Sequence, residues 1–442
     1  MSVIYNSSRD TFAASFEGEG CVFTQAACAP DGSRRALGPG TSATLKSDDD
    51  GHDDVVTCSP DPVFQPKLLN HSWATLPTFW QGSPQELQTV AQIEEATEFS
   101  MVTVTHHHGT VAEAVDACRR VKLAKPSTSC IMYFDVQLVV NDSAIGAALN
   151  PLNGSHRNWL LRDDMGQLML PAGEFLTPDY RISAAVGAWF LSGCANATRS
   201  AFVDGCNLDG GNEFWYAYSA FLRHDSNFGS EAQASYITAF RSALQQLQRS
   251  VPDKVLFLHC EQCVIPPTNA VVVETRSPCI PPAWCGEKGK GSARGMNGQA
   301  IEDFNSSQEF VDIVRYMVAC GKYFKAYVSG ENGRANCSDP TQRGALLAAW
   351  LVAAGDGHFF LCGVEGEAKP LPEFKLPLGA PRGPAVPLKV GSVVGLTREF
   401  SSGTKVSWLP GANFTARGLG CVEWATGEVT GICPRSTRQL KK

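Results

Sequence analysis

No uninterrupted apolar stretch in this chain approaches the roughly 18 residues that a membrane-spanning helix needs. Positive charge is not in excess either: 37 Lys plus Arg stand against 44 Asp plus Glu, a formal charge of −7. That balance offers no basic field to phosphate backbones or anionic lipid, so nucleic acid and membrane are not expected as partners. No G-x-G-x-x-G follows the first strand-like run and no G-x4-G-K-[ST] occurs anywhere, which removes the main support for nucleotide binding. A G-x-S-x-G elbow is missing, and with it the usual motif of a serine hydrolase. The opening residues, MSVIYNSSRDTFAASFEGEG, have no basic n-region and no apolar h-region and are not expected to act as a signal peptide. What is present is a chain of 442 residues, 43% hydrophobic and 18% charged. That is enough for one large domain with appendages.

Cysteine is abundant. Sixteen cysteines exceed what a cytosolic enzyme of this size usually carries. Cys260-Glu-Gln-Cys263 is an isolated C-x2-C, so zinc ribbons are not indicated. Close loop pairs such as Cys279 with Cys285 and Cys421 with Cys433 suit disulfides, whereas Cys118, inside a helical pattern, reads as a buried apolar thiol. Of sixteen asparagines, eight (Asn6, Asn70, Asn141, Asn153, Asn196, Asn305, Asn336 and Asn413) open N-x-S/T sequons. Chance would give about two, so the excess points to a secreted or secretory-pathway glycoprotein.

Residues 1–70 are rich in Gly, Ser, Pro and Asp and read as an irregular leader; the acidic run 47–54 lacks EF-hand spacing and reads as a solvated loop. From Leu76 onward, short β-branched or aromatic runs alternate with helical patterns. Strands are predicted at 76–80, 99–105, 130–140, 201–204, 255–260, 270–274, 324–328 and 358–361, with helices at 84–98, 111–123, 180–191, 231–249, 307–320 and 341–354. Ser83-Pro-Gln-Glu86 and Thr110-Val-Ala-Glu113 place a capping hydroxyl three residues before a glutamate. Apolar strands followed by amphipathic helices mean a parallel sheet covered by helices, and eight of them fit a (β/α)8 TIM barrel over residues 71–368. A Pro-rich spacer and a small β appendage are expected over 369–442, with strands at 393–400, 405–410 and 420–425.

Barrel chemistry stands at the carboxyl ends of strands. The polar residues expected there are acidic: Asp135, Asp204, Glu261, Glu274 and Glu331. Loop acids Asp163, Asp164 and Asp209 could face the same mouth. Trp80, Trp159, Tyr180, Trp215, Tyr216 and Trp284 supply aromatic faces nearby. Carboxylates around an aromatic cleft suit acetal hydrolysis: one acid protonates the leaving oxygen, one carboxylate attacks the anomeric carbon or activates water, and flat rings stack on sugars. A rival constellation is Thr105-His-His-His-Gly109, in which His106 and His108 could offer imidazoles to a metal, completed by Asp135 or His259. Three consecutive histidines cannot all face one centre, so the preferred role is His107 lining a cleft with the others solvated. No metal and no cofactor is expected.

The segment Ser200-Ala-Phe-Val-Asp-Gly-Cys-Asn-Leu-Asp-Gly-Gly211 carries a family resemblance. With Tyr133-Phe-Asp135, Trp159-Leu-Leu-Arg-Asp-Asp-Met-Gly166, Asp179-Tyr-Arg181 and Thr397-Arg-Glu-Phe400, it resembles the "hypothetical glycosyl hydrolase" barrel families, most nearly the fifteenth. The resemblance spans about residues 75–410 and implies a TIM-barrel glycosidase acting on a carbohydrate. It puts a hydrophobic-hydrophobic-Asp-Gly motif at the end of strand four, matched by Phe202-Val-Asp204-Gly205. Asp204-Gly-Cys-Asn-Leu-Asp209 also fits a D-G-x-x-x-D pattern, and Asp204 is preferred because Ala-Phe-Val is the better strand. Similar barrels often draw the second carboxylate from the next strand or the one after, which offers Glu261 and Glu274 equally. The expected catalytic residues are therefore Asp204, Glu261 and Glu274, and the expected substrate contacts Asp135, Asp209, Glu331, Trp80, Tyr133, His107, Trp215 and Trp284. A carbohydrate-binding barrel without catalysis is the non-enzyme alternative.

Overall fold

The computed structural model describes residues 69, 71–105, 110–137, 139, 144–170, 175–209, 230–260, 298–301, 307–319, 323–328, 337–362, 369–410 and 419–434, together with the backbone of five short strands before them. Those five are β1 (Ser2–Asn6), β2 (Thr11–Phe16) and β3 (Phe23–Thr24), an antiparallel sheet, and the pair β4 (Ala43–Leu45) and β5 (Asp54–Val56). Hydrogen-bonded backbone thus occurs within the stretch read from composition as an irregular leader. Alternating runs such as Ser-Val-Ile-Tyr support pairing despite their polar surroundings.

An eight-stranded parallel sheet forms the centre: β6 (Phe79–Gly82), β7 (Met101–Thr105), β8 (Ser129–Asp135), β9 (Gly205–Asp209), β10 (Val255–Cys260), β11 (Gly298–Ile301), β12 (Tyr323–Val328) and β13 (His358–Cys362), each paired with its neighbours in chain order. Thr78, just before β6, makes a parallel bridge to Phe360 of β13, and the Phe360 N–H donates to the Pro77 carbonyl at 3.1 Å. Helices at Val90–Ala96, Val111–Ala124, Ser230–Ser250, Ser307–Ala319 and Pro340–Ala353 stand between strands. Thr110 caps its helix as expected: its Oγ1 accepts from the Glu113 N–H at 3.2 Å while the Glu113 carboxylate takes the Thr110 N–H at 2.6 Å.

Two strand placements differ from the sequence reading. The sixth place, expected for 270–274, belongs to β11, and 270–274 lie outside the described residues. Strand four is Gly205–Asp209, not 201–204. Gly205 reads as a turn residue, yet a Cβ there would lie 1.9 Å from the Val255 carbonyl oxygen. Only glycine lets β9 approach β10 so closely at that point.

Disulfides pin helices to the sheet. Cys118–Cys130 and Cys194–Cys206 tie the helices Val111–Ala124 and Ser192–Ala197 to β8 and β9, Cys337–Cys362 ties the approach to Pro340–Ala353 to β13, and Cys421–Cys433 staples the C-terminal sheet. Their Cα separations of 4.7–6.2 Å lie in the usual range. Cys118 is therefore half of a disulfide and not a free apolar thiol, while the Cys421–Cys433 pairing agrees with expectation. Cys279 and Cys285 lie outside the described residues. Asn153 and Asn196, the sequon asparagines whose surroundings are described, are both exposed. Among the described residues no helix is long and apolar enough to cross a membrane.

After the 369–387 spacer, β14 (Val386–Val390), β15 (Val393–Glu399), β16 (Lys405–Leu409), β17 (Leu419–Glu423) and β18 (Val429–Gly431) form an antiparallel meander. It docks on the helix Pro340–Ala353 through glycines: a Cβ on Gly344 would meet the Gly431 Cα at 2.2 Å. Arg398 of the Thr397–Phe400 motif caps that helix, its Nη1 donating to the carbonyls of Leu351 at 3.1 Å and Ala354 at 2.6 Å.

Candidate active site at the carboxyl ends of the strands

Strand register sorts side chains onto two faces. Cys130 and Cys206 face the helices, since both bond to helical cysteines. Trp80 shares their row through Val102, so this expected cleft residue packs instead between sheet and helices, where it is buried. On the opposite face lie Phe79 and Gln81 of β6, Thr103 of β7, Tyr133 and Asp135 of β8, Asn207 and Asp209 of β9, Phe257 of β10 and Lys325 of β12.

Lys325 reports how this face is shaped. Its fully buried ammonium donates to Gln81 Oε1 at 3.3 Å, Thr103 Oγ1 at 3.0 Å and Asn207 Oδ1 at 3.2 Å. In a flat sheet the seventh strand would lie about 29 Å from the first, six spacings of about 4.8 Å. One side chain on β12 touches β6, β7 and β9 because the sheet curls around it.

Asp135 and Asp209 end β8 and β9 as register partners, so their Cα atoms sit side by side at the carboxyl edge. The Tyr133 hydroxyl donates a hydrogen bond to Asp209 Oδ2. Asp209 is 5% exposed, and its backbone carbonyl accepts from Val136 N at 2.8 Å, extending the β8–β9 pairing past Asp135. The Gln137 N–H donates to Asp135 Oδ1 at 3.0 Å. Beside Asp135 stands an aromatic wall, with Tyr180 edge-on to Tyr236 at 5.9 Å and to Phe240 at 5.2 Å. Burial pushes the Tyr180 phenol well above its usual pKa, and the neighbouring charge of Asp135 adds to the shift. Its hydroxyl donates to the Val136 carbonyl at 2.5 Å.

Asp204 is elsewhere. It precedes β9 at the amino edge, where Oδ2 accepts from Lys122 Nζ at 2.6 Å and from the Cys130 N–H at 2.7 Å. The preference for Asp204 as the end of strand four is therefore corrected to Asp209: the signal was the D-G-x-x-x-D alternative, and the close approach at Gly205 decides between them. Asp163 is a turn residue, its Oδ1 accepting from the N–H groups of Met165 at 3.0 Å and Gln167 at 2.7 Å. Asp179 clamps Arg181 with two bonds of 2.9 and 2.8 Å. Glu261, Glu274, Glu331, His106, His107, His108, Trp215 and Trp284 lie outside the described residues; Glu274 does lose the strand-six position on which its selection rested.

No family model matches the chain, and no curated protein matches it. Solved structures similar to it are glycoside hydrolases. The glycoside hydrolase domain of PelA from Pseudomonas aeruginosa aligns at 14% identity and a TM-score of 0.39, covering 68% of this chain and 96% of that one. An alpha-amylase from Geobacillus thermoleovorans, complexed with acarbose, aligns at 11% and 0.41, covering 75% and 80%. A GH36 alpha-galactosidase from Geobacillus stearothermophilus aligns at 10% and 0.44, covering 76% and 47%. Likeness at this level transfers no residue's role to this chain. Among the described residues, the cluster of possible metal ligands is Cys421, Glu423 and Cys433, and both of its thiols are spent in a disulfide.

Proposed function

We propose that the sheet is a closed (β/α)8 barrel and that the protein is a secreted glycoside hydrolase acting on an oligo- or polysaccharide. The observation that carries this reading is the pair Asp135 and Asp209, in register at the carboxyl edge, with the Tyr133 hydroxyl on Asp209. A hydrogen bond donated to a carboxylate favours its ionised form. Asp209 is accordingly the carboxylate that attacks the anomeric carbon or activates water. Glu261, which directly follows β10 in the chain, is the proton donor, and Asp135 binds sugar hydroxyls beside them. Disulfides and exposed sequons support the secretory compartment.

Release of reducing sugar across a panel of glycans, with Asp209→Asn and Glu261→Gln beside the wild type, tests the proposal. Loss of release in both variants at unchanged melting temperature supports it. Activity lost in Asp135→Asn but kept in Glu261→Gln would move the proton donor to Asp135. Binding to glycans without cleavage would make the protein a carbohydrate-binding barrel, and activity abolished by chelator would favour a metal site at His106 and His108.

A further inference from the structure

Lys325 is absent from the reaction scheme above, although it is the charged side chain most deeply enclosed among the described residues. Its surroundings suit a cation. An ammonium has three N–H donors and no acceptor; here three acceptor oxygens, from Gln81, Thr103 and Asn207, stand within 3.0–3.3 Å. Aromatic faces complete the cage, with Nζ 4.5 Å from the Phe79 ring centroid and 5.7 Å from that of Phe257, an arrangement that attracts a cation. The cage joins strands one, two, four, five and seven of the sheet around one positive charge.

That charge is linked to the strand that carries Asp209. Asn207, one of its acceptors, precedes Asp209 by two residues on the same face of β9, a rise of about 6.6 Å. The Asn207 Nδ2 is buried without a hydrogen-bond partner, so the amide is turned with its oxygen to the lysine at the cost of its own donor. We infer that Lys325 is a positioning residue for the working carboxylate: a fixed, buried ammonium that holds Asp209 ionised from beneath, while substrate approaches from above. This rests on the reading of Asp209 as that carboxylate, but the effect on its ionisation needs no substrate. Other titratable groups along this face are Tyr133 and Asp135 on β8 and Tyr323 on β12, and by register His259 on β10 and Tyr327 on β12 fall in the same rows. Strands β6, β7, β11 and β13 place none there. Tyr133 stabilises the Asp209 anion as well, Asp135 opposes it, and Lys325 is the cation described among them.

The test is an NMR titration of the full chain labelled with 13C at aspartate carboxyls, the Asp209 resonance being assigned through Asp209→Asn. In Lys325→Met the apparent pKa of Asp209 should rise by about one unit or more, whereas a distant carboxylate such as Asp116 should not move. A rise of less than about 0.3 units in a folded Lys325→Met would overturn the inference. Should Lys325→Met fail to fold, the wild-type Lys325 Nζ resonance decides: an ammonium signal persisting above pH 9 supports the fixed charge, and a neutral amine at pH 7 refutes it. Sugar release is read separately, so a glycan panel that shows no cleavage leaves the titration result standing.

Discussion

The two edges of the parallel sheet spend their charges differently. At the amino edge charges and rings are tied to structure: Asp204 holds Lys122 and the backbone of β8, Lys254 Nζ donates to the Val203 carbonyl at 2.7 Å, and His71 packs edge-on against Trp73 and Phe359. At the carboxyl edge Asp135 and Asp209 stand side by side, with the Tyr133 hydroxyl on Asp209 and an aromatic wall beside Asp135. Asp209 lies five positions beyond Asp204, yet Asp204 is bonded to Lys122 and the Cys130 N–H at the amino edge while Asp209 ends β9 beside Asp135. Position along the strand, more than residue type, assigns the role.

The largest effect expected from this contrast is on turnover. Asp209→Asn should lower glycan hydrolysis at least about 10³-fold, while Asp204→Asn keeps it within a few-fold. Equal losses in both would erase the distinction between the edges. Next, replacing Cys194 and Cys206 together by serine opens a loop closed over 12 residues and should cost about 3 kcal/mol in denaturant unfolding.

An acid titration of stability sharpens the amino edge. Burial lowers His71 from its ordinary 6.5 to about 4, against a raising contribution from the Asp356 carboxylate 3.9 Å away. The unfolded chain therefore binds a proton between those values that the folded chain refuses, and stability should fall as pH drops from about 6.5 to about 4, by up to about 3 kcal/mol. His71→Phe should flatten that slope, and an unchanged slope would refute the assignment. The smallest effect is that of Asp204→Asn on unfolding, about 1–2 kcal/mol, because an amide oxygen still accepts from Cys130 while the charge facing Lys122 is gone.

Much of the fold was legible in the chain. Val255–Cys260 and the helix starts at Thr110 and Ser307 coincide with expectation because apolar runs and capping residues act locally. Three of the five strands of the C-terminal meander were legible for the same reason, since alternation marks a strand with one buried face, whereas Val386–Val390 and Val429–Gly431 were not expected. Trp80 was misread because its aromatic ring says nothing about which face of β6 it occupies; register with Val102 and Cys130 settles that. Cys118 was misread because a thiol on an amphipathic helix looks the same whether or not a strand cysteine lies opposite.

By itself the sequence determined the alternation of strand and helix, the shortage of basic charge, the cysteine and sequon enrichment, and the carboxylate-rich set from which a site could be drawn. Those follow from composition and short-range periodicity, which act within a few residues. Tertiary structure alone decided that β11 fills the sixth place, that Gly205 opens strand four, that Asp209 stands beside Asp135, and that Lys325 lies enclosed among Gln81, Thr103, Asn207 and Phe79. Each of these joins residues tens to hundreds of positions apart, and contacts across that separation exist only once the sheet has curled and its register is set.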